Sequence, residues 1–218
     1  MMFRDRRDAG IQLAQRLKQY KDQDNVLVLS LPRGGAVTGF EIAGCLHAPF
    51  DVLIVLKLGF PGQPELAIGA IAETGTMILN RDLIALSEIR DEYIASEISR
   101  QKEEITRRIG RYRNGRAITG LSGKTVILAD DGIATGATMK AAVAALRGEG
   151  IEKLVVAVPV SPSENVDEFK GLSDEFICID TPLYFLSVGS YYDEFPQVTD
   201  EEVLDILRQS PVGCRAQS

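Results

Sequence analysis

Two adjacent carboxylates, Asp130 and Asp131, precede Thr135, Gly136 and Thr138 in the stretch Lys124-Thr-Val-Ile-Leu-Ala-Asp130-Asp131-Gly132-Ile133-Ala134-Thr135-Gly136-Ala137-Thr138-Met139. Paired acids repel an anion, so their natural partners are hydroxyls or a divalent cation held through oxygen. The residues that follow offer the opposite chemistry. Hydroxyls, a freely turning backbone and the N–H groups of a helix start all suit a phosphate. Diol-binding and phosphate-binding groups side by side describe a sugar phosphate. The plainer account is a solvated strand end before an ordinary helix.

The surrounding residues say what must position these groups. Val126, Ile127 and Leu128 form a short β-branched-rich run, and the helical spacing of Met139, Val143 and Leu146 starts only after Gly136. The acids therefore end a buried strand, at the edge of an open α/β sheet where ligands bind. A second strand, turn and helix appears in Val26–Leu29, Leu31-Pro32-Arg33-Gly34-Gly35 and a helix from Ala36 to Leu46. That turn is also ready for an anion, with a guanidinium able to hold phosphate oxygens bidentately, although Pro-Arg-Gly-Gly alone is equally a plain βα turn. Asp51–Gly59 reads as a further buried strand interrupted by Lys57, which must snorkel out or meet an anion. Gly120-Leu-Ser-Gly123-Lys124-Thr125 is no P-loop, because its glycines are too close and a strand follows its lysine.

The stretch from Lys124 to Met139 resembles the PRPP-binding signature of type I phosphoribosyltransferases: a hydrophobic strand, Asp130-Asp131, two residues, then Ala134-Thr135-Gly136-Ala137-Thr138. Gly132 stands where the family usually has an aliphatic residue, and Ala137 where it often has a second glycine. The resemblance covers about Val26 to Val198 and is similar to bacterial phosphoribosyltransferase-domain proteins of unassigned acceptor. It implies an α/β fold with a mostly parallel twisted sheet flanked by helices, a small hood and an inserted loop and helix segment. Its implied activity is that of a glycosyltransferase of nucleotide metabolism, moving the 5-phosphoribosyl group from PRPP to a nitrogen nucleophile, a nucleobase, with pyrophosphate leaving and Mg²⁺ as cofactor.

The same resemblance implies the site. Asp130, Asp131, Arg33 and Lys57 are the expected catalytic residues. Asp130 and Asp131 would hold the ribose hydroxyls and the metal, directly or through those hydroxyls. Ile133, Ala134, Thr135, Gly136, Ala137 and Thr138 would hold the 5′-phosphate, and Arg33, Gly34, Gly35 and Lys57 the pyrophosphate. Phe185, Tyr191 and Tyr192 belong to a segment similar to the hood of purine enzymes, where a ring stacks on the base; they could equally be core or homodimer contacts. The 6-oxopurine enzymes carry an Asp where Ala134 stands, so hypoxanthine or guanine transfer is not expected. A PRPP- or nucleotide-binding regulator without turnover is the alternative, and hydrolytic use of the acids a third.

The chain has 218 residues, enough for one α/β domain over 1–218 or one domain with an insertion, and the single domain is favoured. A formal net charge of −7 and a pI near 4.9 argue against nucleic-acid and anionic membrane surfaces and leave small molecules as partners. Cys45, Cys178 and Cys214 form no C-x-x-C pair, and His47 has no partner at ligand spacing, so zinc sites and histidine-based triads are not indicated. The first sixteen residues lack an apolar signal region, and no run approaches the roughly 20 apolar residues that span a bilayer. A soluble cytoplasmic protein is expected.

The remaining expectations are structural. An amphipathic helix covers 3–20; its Arg4, Arg6 and Arg7 could approach a phosphate, but they alternate with Asp5 and Asp8, and a solvated, self-paired face is the favoured reading. Residues 60–116 hold a loop, a hairpin around Glu73-Thr74-Gly75 and a long helix from Asn80 to about Ile109. Arg107, Arg108, Arg111, Arg113 and Arg116, in the last stretch of this segment, are either a lid for a polyphosphate or a solvated helix end. Buried strands at Lys153–Val160 and Glu175–Ile179 flank a short helix from Ser163 to Phe169. A hood strand and loop occupy 181–198, Thr199 and Glu202 open a final helix as a capping box, and Pro211–Ser218 is a disordered tail.

Overall fold

A computed structural model of the chain describes residues 2–210, so the tail expectation and Cys214 lie outside the described residues. In chain order the elements are α1 (Arg6–Arg16), β1 (Val26–Ser30), α2 (Gly34–Leu46), β2 (Phe50–Val52), β3 (Val55–Phe60), β4 (Gln63–Ala72), β5 (Met77–Leu79), α3 (Arg81–Leu86), α4 (Asp91–Arg113), β6 (Thr125–Ala129), α5 (Ala137–Arg147), β7 (Lys153–Val160), α6 (Val166–Leu172), β8 (Glu175–Asp180) and α7 (Asp200–Gln209). They fall into two compact units: residues up to 52 with 119–135 and 149 onward, and Leu53–Ile118 with Gly136–Gly148.

The first unit is built on a five-stranded sheet, parallel throughout, in the order β2-β1-β6-β7-β8. β1 and β6 are buried at every residue, as strands covered on both faces must be. Helices α1 and α2 pack against each other and on the sheet, and α6 packs on β8. The expected α/β fold with a mostly parallel sheet flanked by helices is thus present. Strand order reverses between β1 and β6, where Ser30 registers with Ala129, and at such a reversal the two βα turns diverge and leave a crevice.

The second unit is a three-stranded antiparallel sheet, β3-β4-β5, with α4 against β3 and α5 against β4. The expected strand Asp51–Gly59 is in fact two, β2 in one sheet and β3 in the other. A continuous apolar run carries no mark of the break at Leu53-Ile54, because both residues are fully buried. Glu73 makes the break: its Oε1 accepts from Ile54 N (2.9 Å) and its own N–H donates to Ile54 O (2.9 Å). Lys57 is exposed on β3, opposite Ala70, so it interrupts the run because one side of its strand meets water.

Three further expectations change. The helix over 3–20 is shorter, with Asp5 as its N-cap and a 3-10 turn at Lys18–Tyr20, while Phe3 bridges to Tyr192 instead. The helix from Asn80 is broken into α3 and α4 by a turn in which Glu88 takes a left-handed conformation (φ 49°), and α4 runs past Ile109 to a left-handed Asn114. The hood over 181–198 contains no named strand, only a 3-10 turn at Val188–Tyr191 and the Phe3–Tyr192 bridge. The hairpin around Glu73-Thr74-Gly75 and the Thr199–Glu202 capping box are both present.

Candidate active site

Because β1 and β6 are parallel neighbours, their following turns leave the same sheet edge side by side, linked by Leu31 N donating to Ala129 O (3.1 Å). The β1 turn carries Arg33 as the N-cap of α2, after a cis peptide bond between Pro32 and Arg33. The β6 turn carries the acids. The two turns interlock through glycine: a Cβ on Gly34 would meet Asp131 Oδ2 and Arg6 Nε, and one on Gly35 would meet Asp130 Oδ1. Gly34 and Gly35 are therefore needed for the close approach of the carboxylates, a role additional to the expected pyrophosphate contact.

Asp131 is held at both its side chain and its backbone. Arg6 Nε donates to its Oδ2 (2.7 Å), Arg6 Nη1 donates to Pro196 O (2.7 Å), and the guanidinium lies 3.6 Å from the centroid of the Phe195 ring. The Tyr192 hydroxyl donates to the Asp131 carbonyl (2.6 Å), and Asp131 N donates to Asp130 Oδ1 (2.8 Å). Burial raises the Asp131 carboxyl above its ordinary range, while the Arg6 charge and hydrogen bond pull it down. Burial, reinforced by the Asp131 charge, also pushes the Tyr192 hydroxyl well above its ordinary range and keeps it a donor.

These contacts correct one expectation and favour one of two open readings. Arg6 is buried and bonded to Asp131, whereas only Arg4 and Arg7 lie on the surface, paired with Asp8 and Glu41. The alternation of Arg and Asp concealed this, because a local charge balance was available for every arginine. Tyr192 is a core residue, packed between Phe3 (centroids 5.3 Å apart) and Phe195 (4.8 Å), and so cannot offer its ring to a base. Phe185 and Tyr191 do stack, 5.6 Å apart and 14° from parallel, and both remain half-buried.

Past the acids, Ile133 is buried and donates its N–H to Val160 O (2.9 Å). Gly132 faces Val188, whose methyl groups fill the space a side chain there would need. Ala134 and Thr135 are exposed, and the Ala134 carbonyl accepts from Asn165 Nδ2 (2.9 Å). Asn165 is a buried supporting residue that the pattern of its own short helix does not mark. Gly136 is the left-handed N-cap of α5 (φ 77°) and provides no side-chain cap, so the first N–H groups, with Ala137 and Thr138 half-buried beside them, suit an anion.

Arg33 is about a third exposed and stands 4.0 Å from Asp200 Oδ1 at the start of α7. In the second unit, Arg107 and Arg108 pair with Glu104, and Arg113 pairs with Glu73, so these three arginines of the basic run serve their own helix and hairpin. His47 ends α2 in a left-handed conformation with Nδ1 2.7 Å from Asp22 Oδ1, and burial pushes the Cys178 thiol up to about 12. Among the described residues no group of three or more His, Cys, Asp or Glu could hold a metal ion, and no helix is long and apolar enough to cross a membrane.

Known proteins are similar to this chain. Curated proteins from two strains of Mycobacterium tuberculosis, each provisionally named a phosphoribosyl transferase, are 47% identical over 206 residues, covering 94% of this chain and 46% of theirs. The chain thus spans about half the length of these relatives. The crystal structure of a Thermus thermophilus protein, TT1426, is similar at 41% identity and a TM-score of 0.80, covering 98% of this chain and all of that one. The model of the phosphoribosyl transferase domain matches residues 5–186, a span that includes β1, β6 and both turns. The chain belongs to the phosphoribosyl transferase domain family.

Proposed function

We propose that the protein transfers the 5-phosphoribosyl group of PRPP to a nitrogen nucleophile, a nucleobase, with release of pyrophosphate. The observation that carries this reading is the interlock at the strand-order reversal, where the β6 carboxylates lie against the β1 glycines and the β6 turn runs on into an uncapped helix start. Carboxylates there accept from vicinal ribose hydroxyls. Thr135, Gly136, Ala137, Thr138 and the first N–H groups of α5 receive the 5′-phosphate, with Ile133 anchoring the turn. Arg33 and the N-terminus of α2 at Gly34-Gly35 receive pyrophosphate, and for Lys57 that role rests on the family resemblance.

In the transfer, the bond from the anomeric carbon to the pyrophosphate oxygen breaks as the bond to the acceptor nitrogen forms. The protein contributes orientation of the ribose and fixed charge at the departing phosphates. The acids fit Mg²⁺ only as part of the substrate: Asp131 Oδ2 already accepts from Arg6, and the described residues supply no cluster of three acids. Mg²⁺ is commonly held by one or two carboxylates together with substrate phosphates and waters, and here it would neutralise charge on the leaving pyrophosphate.

Ala134 offers no carboxylate to serve a 6-oxopurine, which directs the acceptor away from hypoxanthine and guanine. For the base, the candidate contacts are Phe185 and Tyr191, whose rings stack on each other. Calorimetry with PRPP and Mg²⁺, followed by pyrophosphate release against a panel of nucleobases, tests the reading. Binding by the wild type, its loss in Asp130→Asn with Asp131→Asn, and release with one base are expected. Binding without release with any base would make the protein a PRPP sensor, and no binding by the wild type would end the proposal.

A further inference from the structure

We propose that Arg6 is a positioning residue for ribose binding: it fixes the Asp131 carboxylate in the orientation that receives the sugar hydroxyls. This rests on the PRPP reading of the acid pair. Nothing in the signature around Asp131 points to Arg6, which lies 125 residues earlier on α1. Three contacts immobilise its guanidinium: Nε on Asp131 Oδ2 (2.7 Å), Nη1 on Pro196 O (2.7 Å) and Cζ over the Phe195 ring, 3.6 Å from its centroid. Its side chain is 9% exposed.

The segment leading into α1 is itself clamped to the chain around Pro196. Phe3 N donates to Tyr191 O (2.8 Å), Asp193 N donates to Phe3 O (2.8 Å) and Glu194 N donates to Arg4 O (2.8 Å). The same strap supplies the Tyr192 hydroxyl to the Asp131 carbonyl (2.6 Å). Asp131 is thus held at its side chain from α1 and at its backbone from the strap, and these two holders are bonded to each other. Gly34 completes the arrangement, since a Cβ there would meet both Arg6 Nε and Asp131 Oδ2. A carboxylate held by a charge-assisted bond is pre-aligned, so its bond to a ribose hydroxyl does not have to order it first.

The test compares two ligands on the same protein. Pyrophosphate has no ribose, and PRPP has both, so calorimetry with each, in the presence of Mg²⁺, separates a ribose effect from a general one. Arg6→Ala is expected to bind PRPP about tenfold or more weakly, the scale of one lost charged hydrogen bond, with pyrophosphate affinity unchanged. Arg6→Lys, which keeps the charge but not the planar fork, should recover part of the PRPP affinity. Arg7→Ala, at an exposed pair with Glu41, should match the wild type for both ligands. If Arg6→Ala fails to fold, the same two-ligand comparison is made on Arg6→Lys, expected to weaken PRPP alone. Equal weakening for both ligands would make Arg6 a purely structural residue, and unchanged PRPP affinity would remove its role altogether; both overturn the proposal. A wild type that binds pyrophosphate but not PRPP would instead defeat the underlying reading.

Discussion

The Arg6–Asp131 pair of the first unit and the Arg113–Glu73 pair of the second are both buried guanidinium–carboxylate contacts, with side chains 9% and 16% exposed in one and 8% and 2% in the other. Their surroundings differ. Glu73 spends both oxygens inside its own unit, Oε1 on Ile54 N and Oε2 on Arg113, and so fixes the point where the chain leaves β2 for β3. Asp131 stands at the sheet edge beside a second acid, where two βα turns meet at the reversal of strand order. Burial and ion pairing alone do not distinguish a staple from a candidate site. The distinction comes from what else crowds around the acid, and from whether the backbone there leads to an uncapped helix start.

That contrast can be broken at either end. Glu73→Ala should have the largest effect on stability, about 3–5 kcal/mol, because it leaves Arg113 buried without its counter-charge while two of its nitrogens, Nε and Nη1, already lack a partner. Urea titration measures it, and a loss below about 1 kcal/mol would show that the pair is no staple. Gly34→Ala should cost less stability, about 1–3 kcal/mol, but should abolish or sharply weaken PRPP binding by displacing Asp131 and Arg6. Gly44→Ala, later on the same helix and open to solvent, should be neutral or stabilising by about 0.5–1 kcal/mol. Equal PRPP affinity in the two variants would refute the interlock.

Tyr192→Phe removes one bond to the Asp131 carbonyl and keeps the packing against Phe3 and Phe195, so about 1 kcal/mol is expected, with a several-fold loss of PRPP affinity in calorimetry. The smallest effect concerns pH. Hydrogen bonds from Arg107 and then Arg108, against an opposing desolvation, hold the Glu104 carboxyl at about 2 from an ordinary 4.5. A depressed folded pKa stabilises above the ordinary value and loses that stability as pH falls from about 4.5 toward 2. Glu104→Gln should flatten the stability profile in that window, read as melting temperature against pH. Asp131 carries the opposite sign: its raised carboxyl makes ionisation unfavourable to the fold, so Asp131→Asn should relieve a loss of stability on raising pH above the ordinary carboxylate range. A shared sign in the two profiles would contradict the assignment of burial as the larger influence on Asp131.

The chain's own order made much of the frame legible. A β-branched run, acids, a glycine-containing turn and a helical period are all local features, and the structure has β6, Asp130–Asp131 and α5 in that succession. The capping box at Thr199 and the turn at Glu73-Thr74-Gly75 are likewise local, since each bonds within a few residues. Other features had no local signature. Leu53 and Ile54 look like the middle of one strand because both are apolar, yet the chain changes sheet there. Glu88 breaks the helix after Asn80 without a glycine or proline to announce it.

The sequence by itself determined where β1 and β6 end, the glycine-containing turns after them and the family signature, because hydrophobic period, turn chemistry and motif spacing act over a few residues. Only the tertiary structure decided which groups support them. It brought Arg6 to Asp131, set Gly34 and Gly35 against the two carboxylates, and filled the space beside Gly132 with Val188. It also withdrew Tyr192 into the core. The physical reason is distance along the chain: an arginine among aspartates can always be satisfied locally on paper, and its choice of a partner 125 residues away follows from the packing of α1 on α2, β7 and β8 and from the strap at 191–194 that fastens the residues leading into α1.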